Sequence, residues 1–391
     1  MRMRLLILPL LLLTLACTST DDPAISKSRY TNAVVVADLN GDGRADLLTA
    51  NGAYTNGYAD PGYASLALQA AGGTLGTPSR LTVGGDPAAL ALGDLNGDGR
   101  VDFAVANAAT GTVSVFLQSA TTAGTFTLAA TLRTGGLAPL DVAIGDLNQD
   151  GKPDLAVATS GSNAVMVFFQ GATAADYPTA LSLALGGDPR AVAIADLNGD
   201  GRPDLAVATT ADVVSVLFQN ATAGTFASAL DLPTGPRPVA LRVADLNADG
   251  RLDLVTANYR SNGGDGLSVI LQGATAGTFS ATVNLDAGDA YAAGLALGDV
   301  DGDGRPDLVV ACAGKPGYPG SVAVHRQDPA LPGTFLAPDL YGGYTGPVAV
   351  AIGDLDGDGL PDLVVGDGRP YLRPQLAGQP GKFGPGTFLA Y

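Results

Sequence analysis

Nine residues, Asp196 to Asp204, read D-L-N-G-D-G-R-P-D. Asp196, Asn198 and Asp200 stand at alternate positions, Gly201 follows, and Asp204 closes the run. A hard cation such as Ca2+ gathers about six to eight oxygens, and a tight loop supplies them from side chains at positions 1, 3 and 5 and a backbone carbonyl at 7. Glycine at position 6 allows the positive φ that turns the chain back on an ion. Six further loops repeat the pattern, at intervals of 49 to 56 residues. Their side-chain ligands would be Asp38, Asn40, Asp42 and Asp46; Asp94, Asn96, Asp98 and Asp102; Asp146, Asn148, Asp150 and Asp154; Asp245, Asn247, Asp249 and Asp253; Asp299, Asp301, Asp303 and Asp307; and Asp354, Asp356, Asp358 and Asp362. Position 7, offering only its carbonyl, is Arg44, Arg100, Lys152, Arg202, Arg251, Arg305 and Leu360 in chain order. Turn propensity explains D-x-N-x-D-G, but it does not demand Asp at position 9 in all seven loops. Asp and Asn oxygens with no His or Cys beside them favour Ca2+ over zinc or copper. The expectation is up to seven Ca2+, each serving structure.

A recurring interval of this size marks a repeat architecture. In the fourth unit Ala191–Ala195 is a short apolar strand running into the loop, and Leu205–Thr209 leaves it. Val213–Gln219 is a third strand, Gly224-Thr225-Phe226 opens a fourth, and Pro233-Thr234-Gly235-Pro236 turns into the next unit. Runs rich in Val, Ile and Leu, bounded by Gly, Pro, Asn and Asp, are strand punctuation. Four antiparallel strands in each of seven units predict an all-β fold, a seven-bladed β-propeller over residues 31–391.

The phrases V-A-I-A-D-L-N-G-D-G-R-P-D-L-A-V-A (192–208) and A-G-T-F (223–226) resemble FG-GAP/VCBS repeats, the units of integrin α-chain propellers and of many secreted bacterial proteins. The resemblance spans nearly the whole mature chain. It implies Ca2+ in the loop between the first and second strands of a blade. Residues 1–16 read as a secretory signal, with Arg2 and Arg4 before the apolar run Leu5–Leu15. Ala16-Cys17 resembles the cleavage point of a bacterial lipoprotein, although Thr14 stands where that pattern prefers Leu. The resemblance implies lipidation of Cys17, with residues 17–30 a short tether, and otherwise a secreted protein. The last unit stops at Gly386–Tyr391, so the segment around Ile25–Tyr30 is expected to complete the fourth strand of the last blade and close the ring.

The formal net charge is −17, every acidic residue is Asp, and 23 of the 38 lie in the loops. Seven divalent ions would bring that charge close to neutrality. An acidic chain without basic clusters argues against nucleic acid, and membrane contact is expected only through the anchor. Catalysis has little support. His325 ends an alternating strand and is read as a surface or strand-end residue, and Cys312 lies in an apolar run and is read as core. Asp86 and Asp188 (with Asp289 near the same place) could offer a carboxylate pair near the axis, but Asp before Pro87 and Pro189 is a common turn.

Tyrosine is unevenly placed: of 12, only Tyr177 lies between the second and fifth loops. The connections from second to third strands are short in blades 2 to 4 but carry Tyr54, Tyr58 and Tyr63 in blade 1, Tyr259 and Arg260 in blade 5, Tyr318 in blade 6, and Arg369 and Tyr371 in blade 7. Tyr30, Tyr291, Tyr341 and Tyr344 stand in the turns entering first strands. Both kinds of connection fall on the face opposite the metal loops, and Tyr and Arg are enriched at recognition hot spots. The expected function is therefore a monomeric, calcium-binding, non-enzymatic scaffold at the bacterial envelope, binding a protein or surface glycan through a tyrosine arc. The alternatives are a lectin-like propeller and a polysaccharide lyase or hydrolase.

Overall fold

Leu205–Thr209 is apolar on both alternating faces, and both are buried: every residue of the strand Asp204–Thr209 is shielded from water. Asp102–Asn107, Asp253–Asn258, Asp307–Cys312 and Asp362–Asp367 are buried throughout in the same way. Such strands belong in the middle of a blade, pressed between two neighbours. The computed structural model describes residues 29–55, 58–59, 62–259, 266–288, 291–315 and 317–389. Over these residues the chain forms seven antiparallel sheets and no α-helix.

Blade 1 comprises Arg29–Ala37, Asp46–Thr55, Tyr63–Ala67 and Ser79–Thr82, with Tyr58–Ala59 folded against its second strand. Blade 2 runs Pro87–Gly93, Asp102–Asn107, Thr112–Gln118 and Phe126–Arg133, and blade 3 Ala138–Gly145, Asp154–Ser160, Ala164–Phe169 and Thr179–Ala184. Blade 4 is Pro189–Ala195, Asp204–Thr209, Val213–Leu217 and Leu230–Pro233, and blade 5 Pro238–Ala244, Asp253–Asn258, Leu267–Ile270 and Val283–Leu285. Blade 6 is Ala292–Gly298, Asp307–Cys312, Gly320–His325 and Asp339–Tyr344, and blade 7 Ala349–Gly353, Asp362–Asp367, Arg369–Arg373 and Thr387–Phe388. The expected all-β, seven-bladed propeller with four antiparallel strands per blade is what forms.

First strands of successive blades lie against one another all the way round, including blade 7 against blade 1. The core is not central. It is seven apolar layers, one in each gap between blades; Ala156, Val165 and Val167 of blade 3, for example, meet Val192, Leu205 and Leu217 of blade 4. Fourth strands alternate exposed and partly buried residues, as an outer edge should.

Blades 7 and 1 meet at the ring junction. Arg29 and Tyr30 pair with Ala53 and Gly52, inside the first strand of blade 1. The outer strand of blade 7 is Thr387–Phe388, paired with Tyr371 and Leu372. The last unit thus starts the fourth strand of blade 7, as read, while Arg29 and Tyr30 of the segment expected to complete it lie in blade 1. Residues 25–28, together with the leader and Cys17, lie outside the described residues.

Candidate metal centres and the opposite face

The loops fold by turning their acidic oxygens inward onto backbone amides. In the fourth, Asp196 Oδ1 accepts from the amides of Asn198 (3.3 Å), Gly199 (2.7 Å) and Asp200 (3.1 Å), and its Oδ2 accepts from Gly201 (2.7 Å). Asn198 Oδ1 accepts from Asp200 N at 2.9 Å, and Asp200 Oδ1 from Arg202 N at 2.9 Å. Asp38 shows the electrostatic result: burial pushes its carboxyl up, but four backbone amides outweigh this and hold it below the ordinary value. Position 4 has positive φ as well as position 6. It is Gly in five loops, while Gln149 (φ 56°) and Ala248 (φ 57°) tolerate the left-handed region in the other two.

Position 9 is different in kind. All seven of these aspartates have no exposed surface. One carboxylate oxygen accepts from the amide of loop position 2 at 2.8–3.0 Å. The other accepts, at 2.7–3.0 Å, from the amide of a glutamine ending the third strand: Gln69, Gln118, Gln170, Gln219, Gln272, Gln327 or Gln375. The same glutamine sends Nε2 to a loop carbonyl of the preceding blade at 2.5–3.0 Å: Gln219 to Leu147, Gln272 to Leu197, and Gln69 across the ring junction to Asp354. A closed circuit of hydrogen bonds thus joins all seven loops. The glycine of A-G-T-F adds a second brace, since its α-carbon approaches position 3 of the preceding loop. A methyl on Gly333 would stand 3.1 Å from Asn247 Cβ. The glutamine recurs seven times in the sequence at one place in the unit, a signal that sequence reasoning passed over.

Burial, reinforced by the carboxylates at positions 1, 3 and 5 and opposed by the two amides, pushes Asp154, Asp204, Asp307 and Asp362 up to about 6. Asp46, Asp102 and Asp253 are raised for the same reason. A cluster that strains to ionise is suited to a cation. Carboxylate oxygens of Asp299, Asp301 and Asp307 lie within 4.8 Å of one another, as do those of Asp354, Asp356 and Asp362. Ligands of one Ca2+ at about 2.3–2.6 Å can be no further apart than about 5 Å, so these residues fit the ion. In six loops the position-7 side chain already neutralises position 5: Arg44 with Asp42, Arg100 with Asp98, Lys152 with Asp150, Arg202 with Asp200, Arg251 with Asp249, and Arg305 with Asp303. The seventh loop has Leu360 there and four aspartates.

The FG-GAP-like repeat matches residues 94–157, 146–207, 196–256, 245–310 and 299–365, and the FG-GAP repeat matches residues 30–66. The chain belongs to the FG-GAP repeat family. No curated protein matches it. Solved structures resemble these FG-GAP blades in fold. A proposed 6-phosphogluconolactonase from Bacteroides uniformis is 15% identical with TM-score 0.59, covering 87% of this chain and 94% of that one. BBS1N in complex with ARL6DN, soaked with mercury, is 17% identical with TM-score 0.54, covering 88% and 91%.

On the other face of the FG-GAP ring the tyrosines separate into groups. Tyr259 and Tyr291 meet at 4.7 Å between centroids, joining blade 5 to the turn entering blade 6, and Arg237 lies over Tyr259. Arg80 lies 4.3 Å from the centre of Tyr63. Tyr318 is 70% exposed. Tyr344 is a correction: at 2% exposure it is shut between blades 6 and 7, where its ring meets Tyr371 and its hydroxyl accepts from Arg373 Nε. Tyr371 donates to Gly386 O at 2.7 Å and stacks edge-on to Phe388, so it anchors the last strand. Arg369 is exposed. Tyr54 and Tyr58 lie in strands of blade 1, and Arg260 lies outside the described residues.

The residues weighed for catalysis are occupied otherwise. Asp86 accepts from Asn32 Nδ2 at 3.3 Å, tying blade 1 to blade 2, while Asp188 accepts from the amides of Gly161 and Asn163. Asp289 lies outside the described residues. His325 does end its strand but is 2% exposed rather than on the surface. Cys312 is fully buried, as read.

Proposed function

We propose that this chain is an exported, calcium-loaded propeller that binds a partner and has no catalytic role. The observation that carries the reading is the position-9 aspartate, buried in every blade and, in loops 6 and 7, within 4.8 Å of the carboxylates at positions 1 and 3. Each ion would sit between positions 1, 3, 5 and 9 and the position-7 carbonyl, supplying positive charge where burial resists ionisation. Native mass spectrometry of protein purified in calcium should show up to seven ions, all removed by EDTA. Loop 7 should release its ion last, since Leu360 leaves Asp358 without an internal cation. Leu360→Arg should remove that distinction; a chain that carries no calcium under these conditions would end the proposal.

The partner surface is the face opposite the loops, where Tyr318, Arg369 and the Tyr259–Tyr291 pair stand. Irregularity there, against seven like loops on the other side, favours one protein or surface-glycan partner over a sugar site in each blade. A propeller of similar fold is solved in complex with ARL6DN. Export rests on the leader, and lipidation on Cys17. Fatty-acid labelling in a bacterial host should mark the wild-type chain and not Cys17→Ala, and the variant should leave the membrane fraction. Equal labelling of both would remove the anchor from the proposal.

A further inference from the structure

The axial channel holds one charge that the fold does not explain. A cavity of about 540 Å3 is lined by first strands of blades 1, 5, 6 and 7, at Val34–Val36, Arg242–Ala244, Ala296–Gly298 and Val350–Ile352, and by Pro306 of the sixth metal loop. Of these only Arg242 is charged. It stands three residues before its metal loop. The other six blades place Val35, Ala91, Ala143, Ala193, Ala296 and Ala351 at that position. The repeat thus asks for a small residue, and blade 5 alone supplies an arginine.

Asp141, five residues before the third loop, is the other departure; its counterparts are Ala or Gly. It has a structural task. Its Oδ1 accepts from Val142 N at 2.9 Å and its Oδ2 from Val192 N at 3.0 Å, which fastens blade 3 to blade 4. Arg242 has no such task. It is exposed to the channel, and its single hydrogen bond runs from Nη1 to the carbonyl of its neighbour Leu241 at 2.8 Å. Among the described residues it forms no ion pair. A guanidinium carries five donors in a fixed fork that matches a carboxylate bidentately.

We propose that the channel is a binding site for a small organic monocarboxylate, gripped by Arg242 and housed against the apolar first strands of blades 1, 6 and 7. The size fits, since ligand cavities run from about 300 to 1,000 Å3 with few polar groups. The cavity lies at the metal-loop end of the channel, where Arg242 is its only charged lining residue. Burial pushes the Asp141 carboxyl up and Arg242 opposes this, so the two groups lie within electrostatic reach of each other.

The test is calorimetric titration of the calcium-loaded protein with benzoate, and with benzamide as the neutral control. Wild type should bind one benzoate saturably and benzamide at least about tenfold more weakly. Arg242→Ala installs the residue used by five other blades, so its melting temperature should match wild type while benzoate affinity falls at least about tenfold. The proposal fails if wild type shows no saturation up to about 50 mM benzoate, if benzamide binds equally well, or if Arg242→Ala binds as wild type does.

Discussion

Stripping calcium at pH 7 is expected to lower the melting temperature by more than about 15 °C. Each ion bound at about a hundred times its dissociation constant contributes about 2.7 kcal/mol through mass action, and the ring has seven loops to fill. The apo chain also carries a net charge of −17, with most of its carboxylates crowded on one face. The pH dependence has a definite sign. In the metal-free protein Asp154, Asp204, Asp307 and Asp362 are pushed up to about 6, above the value near 3.9 of an unfolded Asp. The folded state then binds more protons than the unfolded state between about pH 4 and pH 6, so apo stability falls as pH rises through that window. The difference between calcium-loaded and calcium-free melts should therefore widen from pH 5 to pH 7. A melt that EDTA leaves unmoved at pH 7 would show that backbone hydrogen bonds alone hold the loops.

Much of this arrangement was legible because the loop motif acts as a ruler. Seven intact copies set the blade boundaries, and alternating apolar runs between them named the strands. Less legible was anything made between repeats. Position 9 reads as one more ligand in sequence; in the folded chain it is also the buried acceptor that joins loop, third strand and, through glutamine, the preceding blade. The glutamine was visible in every unit, but its partner lies on another blade, about 70 to 80 residues away for Leu39, Leu95 and Leu147, and no local rule links them. The tyrosine arc was read from connection lengths alone, which cannot tell a ring on the surface from one like Tyr344 that plugs a gap between blades.

Asp204→Asn should cost about 3–5 kcal/mol in calcium at pH 7, measured by urea denaturation. The substitution keeps the shape and removes one acceptor. Leu197 N and Gln219 N both donate to the carboxylate, so one of them must then face an NH2 group with no water to take its place. The same change removes one of the oxygens proposed to hold the ion. Asp200→Asn is the contrast, because Asp200 is partly exposed and its side chain is paired with Arg202; without calcium it should cost less than about 1 kcal/mol. Gln219→Ala tests the circuit itself. It strands the carbonyls of Leu147 and Pro203, at about 1–2 kcal/mol. It also loosens position 2 of the third loop, which belongs to the neighbouring blade. Calcium affinity should therefore fall in loop 3 as well as loop 4, two ions becoming easier to remove after one substitution. The double variant with Asp204→Asn should cost less than the sum of the two single changes, since both act on the fixing of Gln219. If Asp204→Asn stays within 1 kcal/mol of wild type, position 9 is an ordinary turn residue. If Gln219→Ala weakens only loop 4, the blades bind their ions independently and the hydrogen-bond ring is packing without coupling.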